Sequence, residues 1–203
     1  MDGHPRQDPA YRLADESPAA QLTAGLSRSP AARGLPGAYA RSVRSTAEEL
    51  TANLGLEPHS EGGWFRETYR AAQTVQTPRG ERAAVTAILF LVTAGSMSRL
   101  HRLASDELWV HQGGLPLELV TLSPRGELET RVLGDRLPQA LVPAGRWQGA
   151  RLAGGPHVPV SRAWALATCV VAPGFDYGDF ELGVRESLLS TFPRHAPVIA
   201  TFT

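Results

Sequence analysis

Between Gly95 and Gly114 the chain reads GSMSRLHRLASDELWVHQGG. An imidazole, His101, stands shortly before a carboxylate, Glu107, with Asp106 beside it and His111 further on. An imidazole held by Glu107 or Asp106 is oriented and made more basic, which suits it to abstract a proton from a small molecule. The same pair of side chains also belongs to the ligand types for a divalent metal. In a β-strand, residues two apart share a face, so His101, Leu103, Glu107, Trp109 and His111 have one parity. With no bulge between them, His111 points the same way as His101 while Val110 points away.

Other reactive types carry less. Cys169 lies in the apolar stretch Ala165–Val171 and reads as a small buried side chain. Asp176, Asp179 and Glu181 follow Pro173-Gly174 and read as a solvated turn, with cation or Arg binding as the other meaning. His157 falls in a Gly/Pro loop, and His4, His59 and His195 have no partner visible in the sequence. No phosphate loop, serine-nucleophile motif or Cys/His zinc framework is present.

The elements that must position these groups are mostly strands. Residues 1–44, rich in Pro, Ala, Gly, Ser and Arg, read as a disordered extension to a domain over 45–203. Ser45-Thr-Ala-Glu48 has the spacing of a capping box, Leu50 and Leu54 share a helical face, and Gly55 is a suitable stop. From Trp64 the pattern turns to strands. Ala84–Val92 is a continuous apolar run of the buried type. Further strands are expected near 97–103, 106–112, 116–122, 127–133, 139–143 and 147–152, punctuated by Gly, Pro and Asp. Val158–Val171 reads as a long last strand or two joined by a bend. Val184–Phe192 reads as a closing helix ending before Pro193. Short strands at this turn spacing imply a sandwich or barrel.

Composition narrows the function classes. Twenty basic residues balance twenty acidic ones in 203 residues, so nothing points to nucleic acid or an anionic surface. Every basic residue is Arg, which excludes lysine Schiff-base chemistry. The single cysteine allows no internal disulfide. No apolar run is long enough for a membrane-spanning helix. With no apolar run behind the polar N-terminus, the expectation is a cytoplasmic protein.

The segment Gly95–Gly114 matches the cupin spacing G-x5-H-x-H-x3-E-x6-G at every marked position but one, where Leu103 replaces the second histidine. Pro143-Ala-Gly145-Arg-Trp-Gln148 keeps the P-x-G-x2 of the second cupin motif, with Gln148 for its histidine and Leu152 for its asparagine. The P-x-G turn is structural, since Pro sets φ and Gly permits the reversal. Four segments in order are more specific: Glu61–Arg70 (EGGWFRETYR), His101–Trp109 (HRLASDELW), Val142–Gln148 (VPAGRWQ) and Ala172–Glu181 (APGFDYGDFE). Together they closely resemble the cupin_5 (DUF985) family of RmlC-like cupins, over about residues 46–192. Members of that family usually read D-E-x-W-H, whereas this chain reads Trp109-Val110-His111.

The resemblance implies an all-β fold: a single double-stranded β-helix jelly roll with a short N-terminal helix and a C-terminal helix, forming a homodimer. It implies a small-molecule ligand in the barrel. His101 and Glu107 become the candidate catalytic pair, with Arg66, Glu67, Trp109, His111, Trp147 and Gln148 as candidate substrate contacts. A divalent metal (Fe, Mn, Ni or Zn) would use His101 and Glu107, joined by His111 or Gln148. Leu103 and Gln148 in the two standard histidine slots weigh toward a metal-free pocket. In such a pocket His101 would be a general base, as in RmlC-like epimerases, and Arg66, Arg70 or Arg102 could receive a carboxylate or phosphate. Two functions follow: an enzyme of the isomerase, epimerase or lyase type, or a non-catalytic cupin that binds or senses a metabolite.

Overall fold

The structure, a computed structural model, describes residues 45–154 and 158–203. The expected disordered extension over 1–44 and the loop histidine His157 lie outside the described residues.

A helix over Ala47–Leu54 opens the described chain. Its capping box is Thr46 with Glu49, one residue later than Ser45 and Glu48, and both reciprocal hydrogen bonds are made. Gly55 ends it in the left-handed region at φ 60°. The strands that follow are β1 (Glu57–Pro58), β2 (Trp64–Arg70), β3 (Thr74–Thr77), β4 (Gly80–Ala83), β5 (Thr86–Thr93), β6 (Ser98–Leu103) and β7 (Asp106–Gly114). Then come β8 (Leu117–Leu122), β9 (Leu128–Leu133), β10 (Gln139–Val142), β11 (Trp147–Leu152), β12 (Trp164–Ala172) and β13 (Phe180–Leu182).

They build two antiparallel sheets, in the orders β1-β2-β5-β12-β7-β10 and β13-β6-β11-β8-β9, with β3–β4 as a separate hairpin. This is the all-β jelly roll expected. The order is non-sequential, so strands distant in the chain become neighbours. That is how His101 on β6 pairs opposite Gln148 on β11.

Strand β5 shows why its run is apolar throughout. Phe90 and Val92 join the core between the sheets with Trp109, Leu117, Leu119 and Leu133. Leu89 and Leu91 face the other way and pack with Leu50, Leu54, Leu56 and Trp164 under the N-terminal helix. Both faces are covered, so alternation is lost.

At the C-terminal end the expected single helix is two. Arg185–Thr191 is followed by a turn at Pro193 and a second helix, Ala196–Phe202. Leu188, Phe192, Ile199 and Phe202 cover Leu100, Val120, Leu122 and Trp147 on the second sheet. Each such side chain contributes roughly 1.5–3 kcal/mol by leaving water. The stretch from Val158, expected as a long last strand or two joined by a bend, resolves into a 3-10 turn, Val160–Arg162, and one strand, β12. None of the described helices is long and apolar enough to cross a membrane.

Candidate functional site

A cavity of about 430 Å³ opens between the sheets, and its walls follow from strand alternation. Strand β5 contributes Thr86, Ile88 and Phe90, β7 contributes Glu107 and Trp109, and β12 contributes Cys169 and Val171. Strand β6 supplies His101 and Leu103. Strand β2 adds Phe65 and Glu67, and then, because the register slips at Thr68, Arg70 in place of Tyr69. A one-residue bulge reverses which side chains face inward.

His101 lies at the bottom of this cavity, 2 % exposed. Its Nδ1 donates to the Arg99 carbonyl at 2.8 Å and lies 3.3 Å from Glu61 Oε2. Its Nε2 is left facing Glu107, 3.9 Å from Oε2. Glu107 accepts from the Gln148 amide, whose own oxygen accepts from Trp109 Nε1 at 2.9 Å. Two motif residues and their supports thus form one chain of hydrogen bonds across β7 and β11.

Glu61 and His59 were not singled out as site residues by sequence reasoning, yet they complete the centre. Glu61 is buried, and its Oε1 accepts from Ser98 Oγ at 2.6 Å. Its Oε2 sits 3.4 Å from His59 Nδ1 and 3.3 Å from His101 Nδ1, between two imidazoles. A tight turn sets this up: Gly62 N donates to the His59 carbonyl, and Gly62 and Gly63 take φ 100° and 71°. A Cβ at Gly62 would lie 2.3 Å from the Met97 carbonyl oxygen, so the close approach requires glycine. The available signal was His59-x-Glu61-Gly-Gly directly before a strand.

The charges at this centre are strongly displaced. Burial works against the imidazolium of His101, but Glu61 and Glu107 outweigh it and bring its pKa up to about 9. Burial raises Glu61 to about 7, with His101 holding it back. Burial, reinforced by His101, lowers His59 to about 4 against the pull of Glu107. At neutral pH the centre therefore holds a cationic His101, a neutral His59 and a Glu61 close to its midpoint. Burial, with Glu107 and Glu61, pushes the Cys169 thiol well above its usual range, which matches the inert role expected.

The remaining expected contacts divide. Glu67 and Trp109 line the cavity, and Gln148 stands behind Glu107. Arg66 is exposed and does not line it. Trp147 is the outward neighbour of Gln148 and is buried against the C-terminal helices, with the Arg102 guanidinium 4.8 Å from its ring centroid. His111 does share the parity of Trp109, but it lies beyond that ring, outside the cavity lining, and its Nε2 donates to the Leu115 carbonyl at 3.0 Å. The bulge on β7 falls after it, at Gln112. Arg102 pairs with Glu181 at 2.6 Å, and Asp179 takes Arg79 and Arg82, so two of the three acidic residues near Pro173-Gly174 bind arginines. Asp176 faces the cavity.

The four-ligand metal centre of a cupin does not fit these residues. Of its four positions, Leu103 offers no donor, and the Gln148 oxygen is occupied by the Trp109 indole. Among the described residues no group of three His, Cys, Asp or Glu side chains is disposed to hold a metal ion.

Comparison with known proteins agrees with this architecture. A hypothetical protein from Leishmania major is 36 % identical, with a TM-score of 0.72, covering 78 % of this chain and 99 % of its own. A protein of known structure from Shewanella oneidensis is 35 % identical, with a TM-score of 0.70, covering 78 % of this chain and 98 % of its own. No curated protein matches the chain. The family model described as Cupin_5, cupin superfamily (DUF985), matches residues 48–183. With two thirds of its length matched and the glutamate, imidazole and P-x-G positions in place, the chain belongs to the Cupin_5 (DUF985) family of the cupin superfamily.

Proposed function

We propose that the barrel cavity binds a small molecule and moves protons on it, in an isomerase, epimerase or lyase reaction. The observation that carries this is the pair at the cavity floor. His101 Nε2 stands 3.9 Å from Glu107 Oε2, while Nδ1 is tied to the Arg99 carbonyl. Only Nε2 is left for a ligand. Because His101 is held protonated, its role is proton donor, and the base expected from the sequence becomes Glu107.

In this reading Glu107 takes a proton from carbon next to a carbonyl, and His101 gives its Nε2 proton to the carbonyl oxygen, leaving an enol. Return of both protons at a neighbouring carbon, or on the opposite face, gives an isomer or epimer. Departure of a leaving group gives a lyase. Glu61, placed between His59 and His101 on the Nδ1 side, favours the protonated imidazole, and Nε2 recovers its proton when the enol returns to the carbonyl form. The apolar walls, Phe65, Phe90, Trp109 and Ile88, limit water around the intermediate.

The same reading places the protein in the cytoplasm as a homodimer. Its one cysteine is a buried free thiol, which suits a reducing compartment. The exposed apolar residues Val132, Leu137 and Leu141 on β9, β10 and their connection offer surface for a second copy to cover.

The test is solvent exchange. The protein is incubated in D2O with a panel of small carbonyl compounds and polyols, and loss of C–H signals is followed by NMR. Exchange that disappears in both His101→Gln and Glu107→Gln supports the proposal. A ligand that binds with no exchange identifies the non-catalytic, sensing cupin instead.

A further inference from the structure

The cavity is unevenly charged. Glu57, Glu61, Glu67, Glu107 and Asp176 face it, against a single guanidinium, Arg70. That guanidinium is committed: its Nε and Nη2 hold the two oxygens of Glu67 at 3.0 and 2.6 Å, and Nη1 donates to the Phe175 carbonyl at 3.2 Å. A phosphate or carboxylate entering the cavity would have to displace Glu67 and remain among the other acids. Arg66 and Arg102, which the sequence offered as anion receptors, do not line the cavity at all. The cationic His101 is bracketed at the floor by Glu61 and Glu107.

At the mouth the balance favours the opposite charge. Glu57 and Asp176 are exposed there and have no ion-pair partner among the described residues. Asp176 stands between Phe175 and Tyr177, whose rings lie edge to face with centroids 5.0 Å apart. Carboxylates next to aromatic faces are the surroundings that attract an organic cation. His101 Nε2, on a side chain only 2 % exposed and 3.9 Å from Glu107 Oε2, marks the inner end where a polar group of the same ligand would sit.

We infer that the ligand of this cavity carries a cationic nitrogen, seated at the mouth beside the carboxylate of Asp176 and the ring of Tyr177, with Glu57 as a further carboxylate of the same lining and with its uncharged part directed inward over Phe65 and Trp109. The ligand class is therefore a small amine or guanidine, and sugar nucleotides and other phosphates are disfavoured. This rests on the cavity being the binding site, as proposed above, and a blocked variant separates the two claims.

The experiment uses the full chain and four probes of one shape: benzyltrimethylammonium, benzylamine, benzyl alcohol and benzoate, measured by calorimetry and thermal shift. The cations should bind at least tenfold more tightly than benzyl alcohol, with benzoate weakest. In the double variant Glu57→Gln with Asp176→Asn that advantage should fall at least tenfold; Asn keeps the hydrogen bond that Asp176 accepts from Gly178 N. Benzoate binding as tightly as the cations overturns the charge assignment. So does a cation affinity unchanged in the double variant, or no binding by either cation. The variant Ile88→Trp fills the cavity, with its fold checked by circular dichroism. Cation binding that survives it places the site elsewhere and overturns the cavity reading itself. Anion preference that disappears in it overturns only the ligand class.

Discussion

Replacing Glu61 by Gln isolates the group that sets the charge of His101. Glu61 Oε2 lies 3.3 Å from Nδ1, and both side chains are buried. At that distance, with an effective dielectric of about 20, one full charge is worth about 5 kcal/mol. At 1.36 kcal/mol per pH unit this corresponds to a fall of between three and four. The amide keeps a carbonyl oxygen near Nδ1, and Glu107 remains, so we expect His101 to fall from about 9 by roughly 2 pH units, to near neutrality. The assay is an NMR titration of the imidazole carbon-bound protons, practical because the chain has six histidines. If proton transfer is the function, the alkaline limb of the exchange rate should move down with it. A His101 midpoint that moves by less than about 0.5 in Glu61→Gln, or one already ordinary in the unaltered protein, refutes the reasoning.

Three other outcomes are expected. Stability should fall between about pH 6.5 and pH 9. His101 is raised on folding, so its contribution is complete below 6.5 and lost as pH rises through 9, by on the order of 3 kcal/mol, readable as a lower urea midpoint. Below that window the lowered His59 and the raised Glu61 act in opposite senses and largely offset each other. Gly62→Ala forces a Cβ against the Met97 carbonyl at a left-handed φ, and should cost on the order of 3 kcal/mol in chemical denaturation. Elemental analysis of purified, untagged protein should find well under one equivalent of Fe, Mn, Ni or Zn; a stoichiometric metal lost in His101→Ala would show that the donor set has been misjudged.

Much of the frame was legible because turns announce themselves. Strands β6 to β11 lie within one or two residues of their expected spans, each bounded by Gly, Pro or Asp. The β3–β4 hairpin, TVQTPRGERA, carries no apolar alternation because neither face is buried in a core, and it left no such signal. The last helix, Ala196–Phe202, carries Pro197 in its first turn, where proline is tolerated, and Pro193 was read as the end of helical structure when it only interrupts it with a 3-10 turn. At the site, His101, Glu107 and Gln148 hold motif positions, and alternation placed Trp109. Glu61 and His59 reach His101 through a tight turn rather than along a strand, so no periodicity pointed to them. Arg66 and Glu67 were indistinguishable by parity until the burial of Trp64 under the N-terminal helix fixed which face of β2 is inward.

The slip at Thr68 has a consequence for how such a pocket changes over time. Because one surplus residue, anchored by its Oγ1 to the Ala87 carbonyl at 3.1 Å, puts Arg70 inside and Tyr69 outside, the lining depends on where the strand bulges as well as on residue identity. Deleting Thr68 would leave Glu67 opposite Ile88, Tyr69 opposite Ala87 and Arg70 opposite Thr86, a regular strand with the guanidinium still inside. Moving the bulge past Arg70 with every residue kept would instead set Thr68 opposite Ala87 and Tyr69 opposite Thr86, and a phenol would replace the guanidinium at the entrance. The position of one bulge is thus a route to a different ligand preference on an unchanged barrel.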